Sequence, residues 1–255
     1  MYKHLTISEM AKLLGVSPST LRRLEENGEV KGYGIKVIYT PSGHRRYVVD
    51  EVAYLYSQRG FSGKLGFGNK PALLIRDLTV AFTDPNSKLS FNLKNQIEST
   101  IQIIEEVKKH QLPIIFSRTI YDSNNPFSQM WGKKFPSLQV LDESSTWVAI
   151  HDKLSKYSFD LINSTPYITD LYQSSVEKLL LENDVDTLIL AGATTSGSIR
   201  ATAIEAFQKG YHVVIPREAV GDRSEAIEHV ALLDLNSRYA DVVDITEVLD
   251  YVKSL

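Results

Sequence analysis

The fold is decided by the stretch Ala191-Gly192-Ala193-Thr194-Thr195-Ser196-Gly197-Ser198-Ile199-Arg200-Ala201-Thr202. The apolar run 188–190 precedes it, so the pattern predicts the end of a buried strand, a sharp turn of small residues and the start of a helix. Such a turn directs backbone N–H groups toward one point, because the first amides of a helix have no partner inside that helix. The side chain of Ser198 lies at this helix start, which makes it a candidate site residue.

Short apolar runs alternate with helical patterns on both sides of this stretch. Each run is continuously apolar, and apolar residues spaced three or four apart mark the helices between them. Such alternation is typical of a mostly parallel sheet that helices cover on both faces, so we expect an α/β fold with three layers. The predicted strands are 72–75, 113–116, 187–190 and 211–215, and the predicted helices are 97–107, 171–181 and 199–209, before a last helix-strand-helix stretch.

The bulk composition is that of a globular protein. The 255 residues are 43% hydrophobic and 23% charged. No apolar run approaches the roughly 20 residues of a membrane helix, and the N-terminus has no apolar signal-peptide core. We therefore expect a cytoplasmic protein without a membrane partner. The chain has no cysteine, which excludes disulfides, thiolate metal sites and thiol catalysis.

Charge and glycine content divide the chain. Residues 1–60 carry nine Lys and Arg against six Asp and Glu, whereas the rest carries 19 against 25. A small basic unit beside a larger acidic one fits a nucleic-acid-binding domain attached to a second domain. Four glycines and a proline between Gly60 and Pro71 predict a linker over 60–71, which separates a first domain at 1–59 from a second at 72–255.

The first domain has the pattern of two short helices followed by a two-stranded wing. Thr6 and Glu9 form a capping box that opens the first helix, and Ser17-Pro18 opens the second, which runs over 19–27. Two helices joined by a short turn with a glycine are the helix-turn-helix pattern. The alternating run 35–39, the turn 40–43 and the return 44–47 predict the wing, and Asp50 predicts the start of a third helix through Tyr56.

Residues 4–58 resemble a MerR-type winged helix. The matching residues are Leu5–Glu9, Gly15-Val16-Ser17, Thr20–Arg23 and the wing Thr40–Tyr47. The resemblance implies binding to double-stranded DNA, with the second helix in the major groove. Arg22 or Arg23 would reach a guanine edge or a phosphate, and the wing arginines would hold phosphates. The implied DNA contacts are Ser17, Ser19, Thr20, Arg22 and Arg23 on the helix, and His44, Arg45 and Arg46 on the wing.

Two alternatives stay open for this domain. Exposed arginines also occur on ordinary solvated faces, and similar modules occur in excisionases and in transposon-encoded recombinases. MerR regulators usually continue into a coiled-coil dimerisation helix, but no heptads precede the glycine-rich segment here. We therefore expect the second domain to mediate a homodimer or homotetramer, since paired half-sites need two-fold symmetry.

Residues 64–253 resemble the isochorismatase-like cysteine hydrolases, above all the N-carbamoylsarcosine amidase branch. Beyond the turn at 191–202, the match rests on 72–78, 81–85 and 216–224. The family uses an Asp, a Lys and a Cys as its catalytic triad. The resemblance assigns Asp77 to the general base, Ser198 to the cysteine position, and Thr165, or Ser164, to the lysine position.

The resemblance also implies a pocket. In the family the turn contains a cis peptide bond, here Ala193–Thr194, and the N–H groups of Thr194 and Ser198 form an oxyanion hole. Arg223 corresponds to an arginine that grips the substrate carboxylate, and a structural salt bridge is an equal alternative. Trp131 is a candidate pocket wall, with a core or interface position equally open.

No metal and no cofactor are expected. The zinc-binding members of the family have an Asp-x-His cluster after the first strand, where this chain has Asp84-Pro85-Asn86. The histidines at 151, 212 and 229 are scattered along the chain, which indicates structural positions.

Because both the thiol and the lysine are replaced, the sequence predicts a catalytically inactive hydrolase fold. The hypothesis is a DNA-binding transcriptional regulator whose second domain senses a small carboxylate- or amide-bearing effector. The alternative is an active amidohydrolase that uses Ser198 on an N-carbamoyl or amide substrate, with Asp77 as the candidate base. A recombination or excision accessory factor is disfavoured, because no recombinase domain follows residue 60.

Overall fold

The computed structural model describes residues 2–13, 17–26, 35–50 and 63–255. The chain divides into two compact units, Met1–Gly63 and Lys64–Leu255. The turn between the first two helices and the third helix predicted to follow Asp50 lie outside the described residues. None of the described helices is both long and apolar enough to cross a membrane.

The small unit combines two helices with a three-stranded antiparallel sheet. Its central strand is β3, with β1 on one side and β2 on the other. The two helices and the wing hairpin predicted from the sequence are confirmed. β1 was not predicted, because a strand of four residues is too short for an alternating pattern to be recognised. The elements are β1 (Tyr2–Leu5), α1 (Ile7–Leu13), α2 (Pro18–Glu26), β2 (Ile35–Tyr39) and β3 (Arg45–Asp50).

A few buried side chains hold the small unit together. Met10 and Leu21, one from each helix, are fully buried together with Tyr47 of β3. The predicted capping box is present, since the Thr6 N–H donates to the Glu9 carboxylate at 2.8 Å and the Glu9 N–H donates to the Thr6 hydroxyl at 3.3 Å. Because Tyr47 belongs to the same buried cluster as Met10 and Leu21, the wing hairpin packs directly on both helices.

A seven-stranded sheet forms the centre of the large unit. Six strands follow the order β10-β8-β7-β4-β5-β6, and every pairing along this path is parallel. The short strand β9 pairs with the end of β7. The strands are β4 (Pro71–Arg76), β5 (Ile114–Thr119), β6 (Leu161–Thr165), β7 (Thr187–Ala193), β8 (His212–Pro216), β9 (Val220–Gly221) and β10 (Asp241–Val243).

Helices cover both faces of this sheet. Alternate residues of β4 point to opposite faces, as strand geometry requires. Leu73 and Ile75 join one buried cluster with side chains of α4 and α10, whereas Ala72 and Leu74 join another with side chains of α7, α8 and α9. The predicted three-layer α/β fold is confirmed. The helices are α3 (Val80–Thr83), α4 (Lys94–Lys109), α5 (Pro126–Lys134), α6 (Asp152–Ser155), α7 (Ser175–Glu182), α8 (Arg200–Gln208), α9 (Glu225–Arg238) and α10 (Ile245–Lys253).

One helix starts later than its sequence pattern indicated. The pattern near 171–181 corresponds to α7, which begins at Ser175. The hydroxyl of Ser174 accepts a hydrogen bond from the Val176 N–H at 3.2 Å and so caps the helix there. The residues before this cap form a loop that closes over the carboxyl edge of the sheet.

Residues 65–70, part of the predicted linker, are held against the amino edge of the sheet. The Asp241 carboxylate accepts the N–H groups of residues 65 and 66, at 3.2 and 2.7 Å. The Asp186 carboxylate accepts those of residues 69 and 70, at 2.7 and 2.9 Å. Because ionised acceptors bind backbone amides strongly, this segment packs as part of the large unit.

One arginine is buried at the carboxyl end of β4, an inner strand of the sheet. Arg76, the last residue of β4, is 0% exposed, and all five of its N–H groups donate hydrogen bonds. Asp170 also accepts from the Thr202 hydroxyl of α8, at 2.9 Å. The acceptors of Arg76 are the carboxylates of Asp77 and Asp170, the hydroxyls of Ser117 and Thr119, and the backbone carbonyl of Tyr167.

This buried ion pair predicts a large stability effect for Asp170→Asn. The change leaves a buried guanidinium with one charged partner fewer, and breaking a buried pair costs about 3–5 kcal/mol. The matched control is Asp184→Asn, because Asp184 pairs with Lys70 but is 79% exposed, and exposed pairs contribute at most about 1 kcal/mol. Urea unfolding followed by tryptophan fluorescence measures both, since the two tryptophans, Trp131 and Trp147, lie in the large unit. Equal losses for the two variants would contradict the central place of the pair.

Candidate functional site

A cavity of about 270 Å³ lies at the carboxyl edge of the sheet, where β4, β5 and β7 end. Ligands of open α/β sheets bind at this edge. The cavity brings together five residues that the sequence had assigned to a site: Asp77, Trp131, Thr194, Ser198 and Arg223. Its other lining residues are Phe82, Thr119, Phe135, Leu138, Ile168, Ser196 and Gly197.

Asp77 lies at the bottom of this cavity and is only 2% exposed. Its Oδ1 accepts the Thr119 N–H at 2.6 Å, and its Oδ2 accepts the Thr119 hydroxyl at 2.8 Å and the Arg76 Nε–H at 3.0 Å. Burial raises the pKa of the Asp77 carboxyl above its ordinary value, and the adjacent guanidinium opposes that rise. The hydrogen bonds of this carboxylate thus come from Arg76 and Thr119, and none of them comes from Ser198.

The turn after β7 contains one feature that the family resemblance implied. The Ala193–Thr194 peptide is cis. The Thr194 carbonyl accepts the N–H groups of Gly197 and Ile199, at 3.0 and 3.2 Å, which closes the turn before α8 begins. The Ser196 N–H donates to the Asp222 carboxylate at 2.7 Å.

Ser198 follows in this turn and is 6% exposed. Within the part of the chain that the structure describes, no side chain hydrogen-bonds to its hydroxyl, and no histidine lines the cavity. A serine hydroxyl needs an adjacent general base to become a nucleophile. Among the described residues, no such base is hydrogen-bonded to Ser198.

The two candidates for the lysine position lie at the end of β6. The Thr165 hydroxyl accepts the Tyr167 N–H at 3.1 Å, and the Ser164 hydroxyl accepts the Arg118 Nε–H at 2.9 Å. Neither residue is among those that line the cavity. The cation beside Asp77 therefore comes from Arg76 on its own strand, and no cation comes from β6.

Arg223 is exposed and lies at the mouth of the cavity. Its guanidinium carbon is 5.5 Å from the ring centroid of Phe91 and 5.7 Å from that of Phe135. No carboxylate of a described residue is within ion-pair distance of it. Both rings are within cation–π distance of the guanidinium, and its N–H groups, without a carboxylate partner among the described residues, suit an anion.

Trp131 stands on α5 and is half-buried at the cavity wall. Its ring is tilted against that of Phe127, with centroids 5.5 Å apart. Five apolar side chains, Phe82, Trp131, Phe135, Leu138 and Ile168, thus surround the few polar groups of the cavity. Such a cavity suits a small ligand with an apolar body and one polar group at each end.

Sequence reasoning missed four residues that determine this site: Arg76, Thr119, Asp170 and Phe91. The signal for the first was present, because a single arginine ends the apolar run Ala72–Ile75 and so had to be buried with partners. Thr119 and Asp170 gave no comparable signal, since ordinary threonines and aspartates end many strands and loops.

In the small unit, the predicted DNA-contact residues of α2 divide into two groups. The Ser17 hydroxyl accepts the Thr20 N–H at 3.1 Å and lies 2.7 Å from the Ser19 hydroxyl, so Ser17 caps the helix. Arg22 and Arg23 are exposed on the same helix. The arginines are therefore the long exposed side chains of this surface and have no ion-pair partner among the described residues, whereas the hydroxyls are engaged with one another.

On the wing, Arg45 is engaged within the unit. Its Nε lies 3.3 Å from the Glu25 carboxylate, and its guanidinium carbon is 5.7 Å from the Tyr39 ring centroid. Tyr47 donates to the same carboxylate at 3.0 Å, and burial raises the pKa of its hydroxyl to about 12. This cluster fixes the wing to α2. His44 is exposed at the wing tip, and Arg46 is half-buried.

Comparison with known proteins agrees with both units. The model of the MerR family regulatory protein matches residues 6–47, and the model of the isochorismatase domain matches residues 71–247. The chain therefore carries a MerR-type regulator domain and an isochorismatase-like domain.

Relatives and solved structures resemble the second domain. An N-carbamoylsarcosine amidase from Arthrobacter sp. is 29% identical over 207 residues, which cover 79% of this chain and 78% of the relative. A maleamate amidohydrolase from Pseudomonas putida is 28% identical over 195 residues, which cover 75% and 91%. A cysteine hydrolase structure from Pseudomonas syringae pv. phaseolicola has a TM-score of 0.69 at 18% identity and covers 72% of this chain and 93% of its own. With a family model that spans most of its length, the chain belongs to the isochorismatase family.

Proposed function

We propose that this protein is a DNA-binding transcriptional regulator whose isochorismatase-like domain senses a small metabolite without converting it. The observation that carries the proposal is the state of Asp77, whose oxygens are bound by Arg76 and Thr119, while no described side chain is hydrogen-bonded to the Ser198 hydroxyl. A cytoplasmic location accompanies this function.

The loss of chemistry has two supports. The chain has no cysteine, so the thiolate nucleophile of the family cannot form. Thr165, at the lysine position, places no cation in the cavity, and its hydroxyl is occupied by a backbone N–H. Ser198 and Asp77 therefore do not form a hydrogen-bonded nucleophile–base pair, because the three hydrogen bonds of Asp77 come from Arg76 and Thr119.

An active amidohydrolase is the second candidate. It is favoured by the names of the relatives, an amidase and an amidohydrolase, and by the presence of Ser198 in the same cavity as Asp77. In this case the remaining acceptor position on Asp77 Oδ1 would have to take the proton of Ser198. The two candidates differ in a single observable, which is product formation that depends on Ser198.

The proposed effector is a small molecule with a carboxylate or an amide. The exposed guanidinium of Arg223 suits a carboxylate, and the turn at Thr194 and Ser198 suits a carbonyl oxygen. Apolar side chains around these groups exclude water from the body of such a ligand.

The proposed partner of the small unit is double-stranded DNA. The MerR-type domain supports it, as do Arg22 and Arg23 on the exposed side of α2. Each chain offers one such helix, so a two-fold operator requires a second copy of the protein. We therefore propose a homodimer or homotetramer.

DNA binding predicts unequal effects for arginine substitutions. Selection from a random duplex pool with the full chain should enrich a sequence with two half-sites. At least one of Arg22→Ala and Arg23→Ala should weaken binding to it by about 1–3 kcal/mol, and Arg46→Ala should lower the salt slope of binding by about one. The control is Arg217→Ala, an exposed arginine of the large unit that pairs with Asp244. Selection that enriches no sequence would refute DNA recognition.

Ligand binding without turnover predicts a thermal shift without product. N-carbamoylsarcosine and maleamate serve as probes, and a ligand at a hundredfold excess over its Kd should stabilise the large unit by about 2.7 kcal/mol. Arg223→Ala should remove most of the shift, whereas Arg217→Ala should keep it. Ammonia release is measured in parallel with the wild type and with Ser198→Ala. Release that disappears in Ser198→Ala would establish the amidohydrolase instead.

A further inference from the structure

Helix α9 has apolar side chains on its outer face as well as on its inner face. Leu235 is buried in one of the core clusters, and Leu232 packs against that cluster. Ile227 and Val230 are 49% and 54% exposed, and neither is part of the buried clusters that the described residues form. A helix that is apolar on all sides is normally buried on all sides, but the described residues cover only one side of α9.

Helix α4 shows the pattern of a helix that has one face in water. It packs on the other face of the sheet, where Ile97 and Val107 are buried. Its exposed residues are all Lys, Asn, Glu or Gln, as is usual for a surface helix. α9 departs from this pattern, because Ile227 and Val230 are among its exposed residues. Its outer face therefore has the composition of a surface that another element covers.

The outward residues of α9 have the spacing at which helices pair. Separations of four, three and four positions place one stripe of residues along the helix: Ala226, Val230, Leu233 and Ser237. The first two are exposed and the last two are half-buried. The Ser237 hydroxyl donates to the Leu233 carbonyl at 2.6 Å, so the polar side chain of the stripe already has a partner. Another helix can therefore cover the stripe without leaving that hydroxyl unpaired.

The stripe is complementary to a second copy of itself. Its spacing reads the same in both directions, so an antiparallel copy matches it residue for residue. Val230 of one copy then lies against Leu233 of the other, and Ala226 lies against Ser237. A two-fold axis produces this arrangement, because it places the same surface on both sides of a contact.

The charges at the ends of α9 favour the same arrangement. The first turn contains Glu225 and Glu228, and the last turn contains Arg238. Arg200 and Arg238 both pair with Asp234 near the last turn, so two guanidinium groups share one carboxylate there. An antiparallel copy brings the acidic end of one helix beside the basic end of the other, whereas a parallel copy brings like charges together.

We propose that α9 is the centre of an interface between two copies of this chain, which pair their outer stripes antiparallel about a two-fold axis. Because α9 begins two residues after Arg223, this contact lies beside the mouth of the cavity. Two copies also supply the two α2 helices that paired half-sites need, and this inference rests on the homo-oligomer of the proposed function.

A charge within the stripe should separate the copies. Val230→Glu places two carboxylates without partners in each two-fold contact, so we expect the Kd of association to rise about 100-fold or more. Sedimentation velocity of the full chain over a range of concentrations measures the change, from dimer to monomer or from tetramer to dimer. The matched control is Leu181→Glu on α7, because Leu181 is an apolar residue that is 66% exposed elsewhere on the unit. It should keep the mass of the wild type, and urea unfolding should show that both variants fold.

The outcomes separate this interface from the proposed function. If the wild type is oligomeric and Val230→Glu is equally oligomeric, this proposal alone is overturned. If the wild type is monomeric, because the small unit or another protein covers the stripe, the proposed homo-oligomer is overturned with it. DNA recognition is tested independently, by the selection from a random duplex pool.

The contact between Val230 and Leu233 predicts that opposite charges restore association. Leu233→Lys alone should separate the copies as Val230→Glu does. A mixture of the two variants allows one contact of opposite charges and one unchanged contact in each pair, so dimers of mixed composition should form. Different affinity tags on the two variants measure this by co-purification, and two differently tagged samples of Val230→Glu are the control that should not co-purify. A mixture that stays dissociated would overturn the antiparallel pairing.

Discussion

The buried guanidinium of Arg76 is the interaction on which the arrangement of the cavity depends. A charge without solvent is tolerated only when its partners are all present, and here they come from separate parts of the chain. Ser117 and Thr119 lie on β5, while Tyr167 and Asp170 lie in the loop before α7. Because no single element can satisfy the five donors, the carboxyl edge of the sheet must assemble as one unit.

Strand β7, which pairs with β4, approaches the backbone of Arg76 closely. β7 pairs with β4 so that Gly192 lies beside Arg76. Gly192 has φ +113°, and a Cβ there would lie 1.9 Å from the Arg76 carbonyl oxygen, so only glycine fits. The turn with Thr194 and Ser198 follows two residues later. The position of the turn over the cavity is therefore tied to the same strand end that carries the guanidinium.

The sequence predicted the strands and helices of the large unit well, but it did not predict the hydrogen-bond partners within the site. Alternating apolar runs and the small-residue turn were sufficient for the strands β4 and β7 and for the start of α8, because these depend on local pattern. The partners of Arg76 were not predictable, since Asp170 is 94 residues away and meets it only through the fold. The wing shows the same limit. Arg45 looks like a free basic residue in the sequence, yet the structure pairs it with Glu25 of α2.

The distance between the cavity and the amino edge of the sheet constrains any ligand-dependent regulation. β7 runs seven residues from one edge to the other, about 20 Å at the rise of a strand, and residues 65–70 are held at the far edge. A ligand that binds two conformations equally well does not shift the equilibrium between them. A sensor therefore needs an element whose contacts differ between the two conformations at both edges of the sheet. α10 has contacts at each: the Ile245 N–H donates to Glu218 near the cavity edge at 2.8 Å, and the Tyr251 hydroxyl donates to the Gly68 carbonyl at 3.1 Å. Because α10 is one continuous helix, these two hydrogen bonds connect the carboxyl edge of the sheet to residue 68 at the amino edge through a single element.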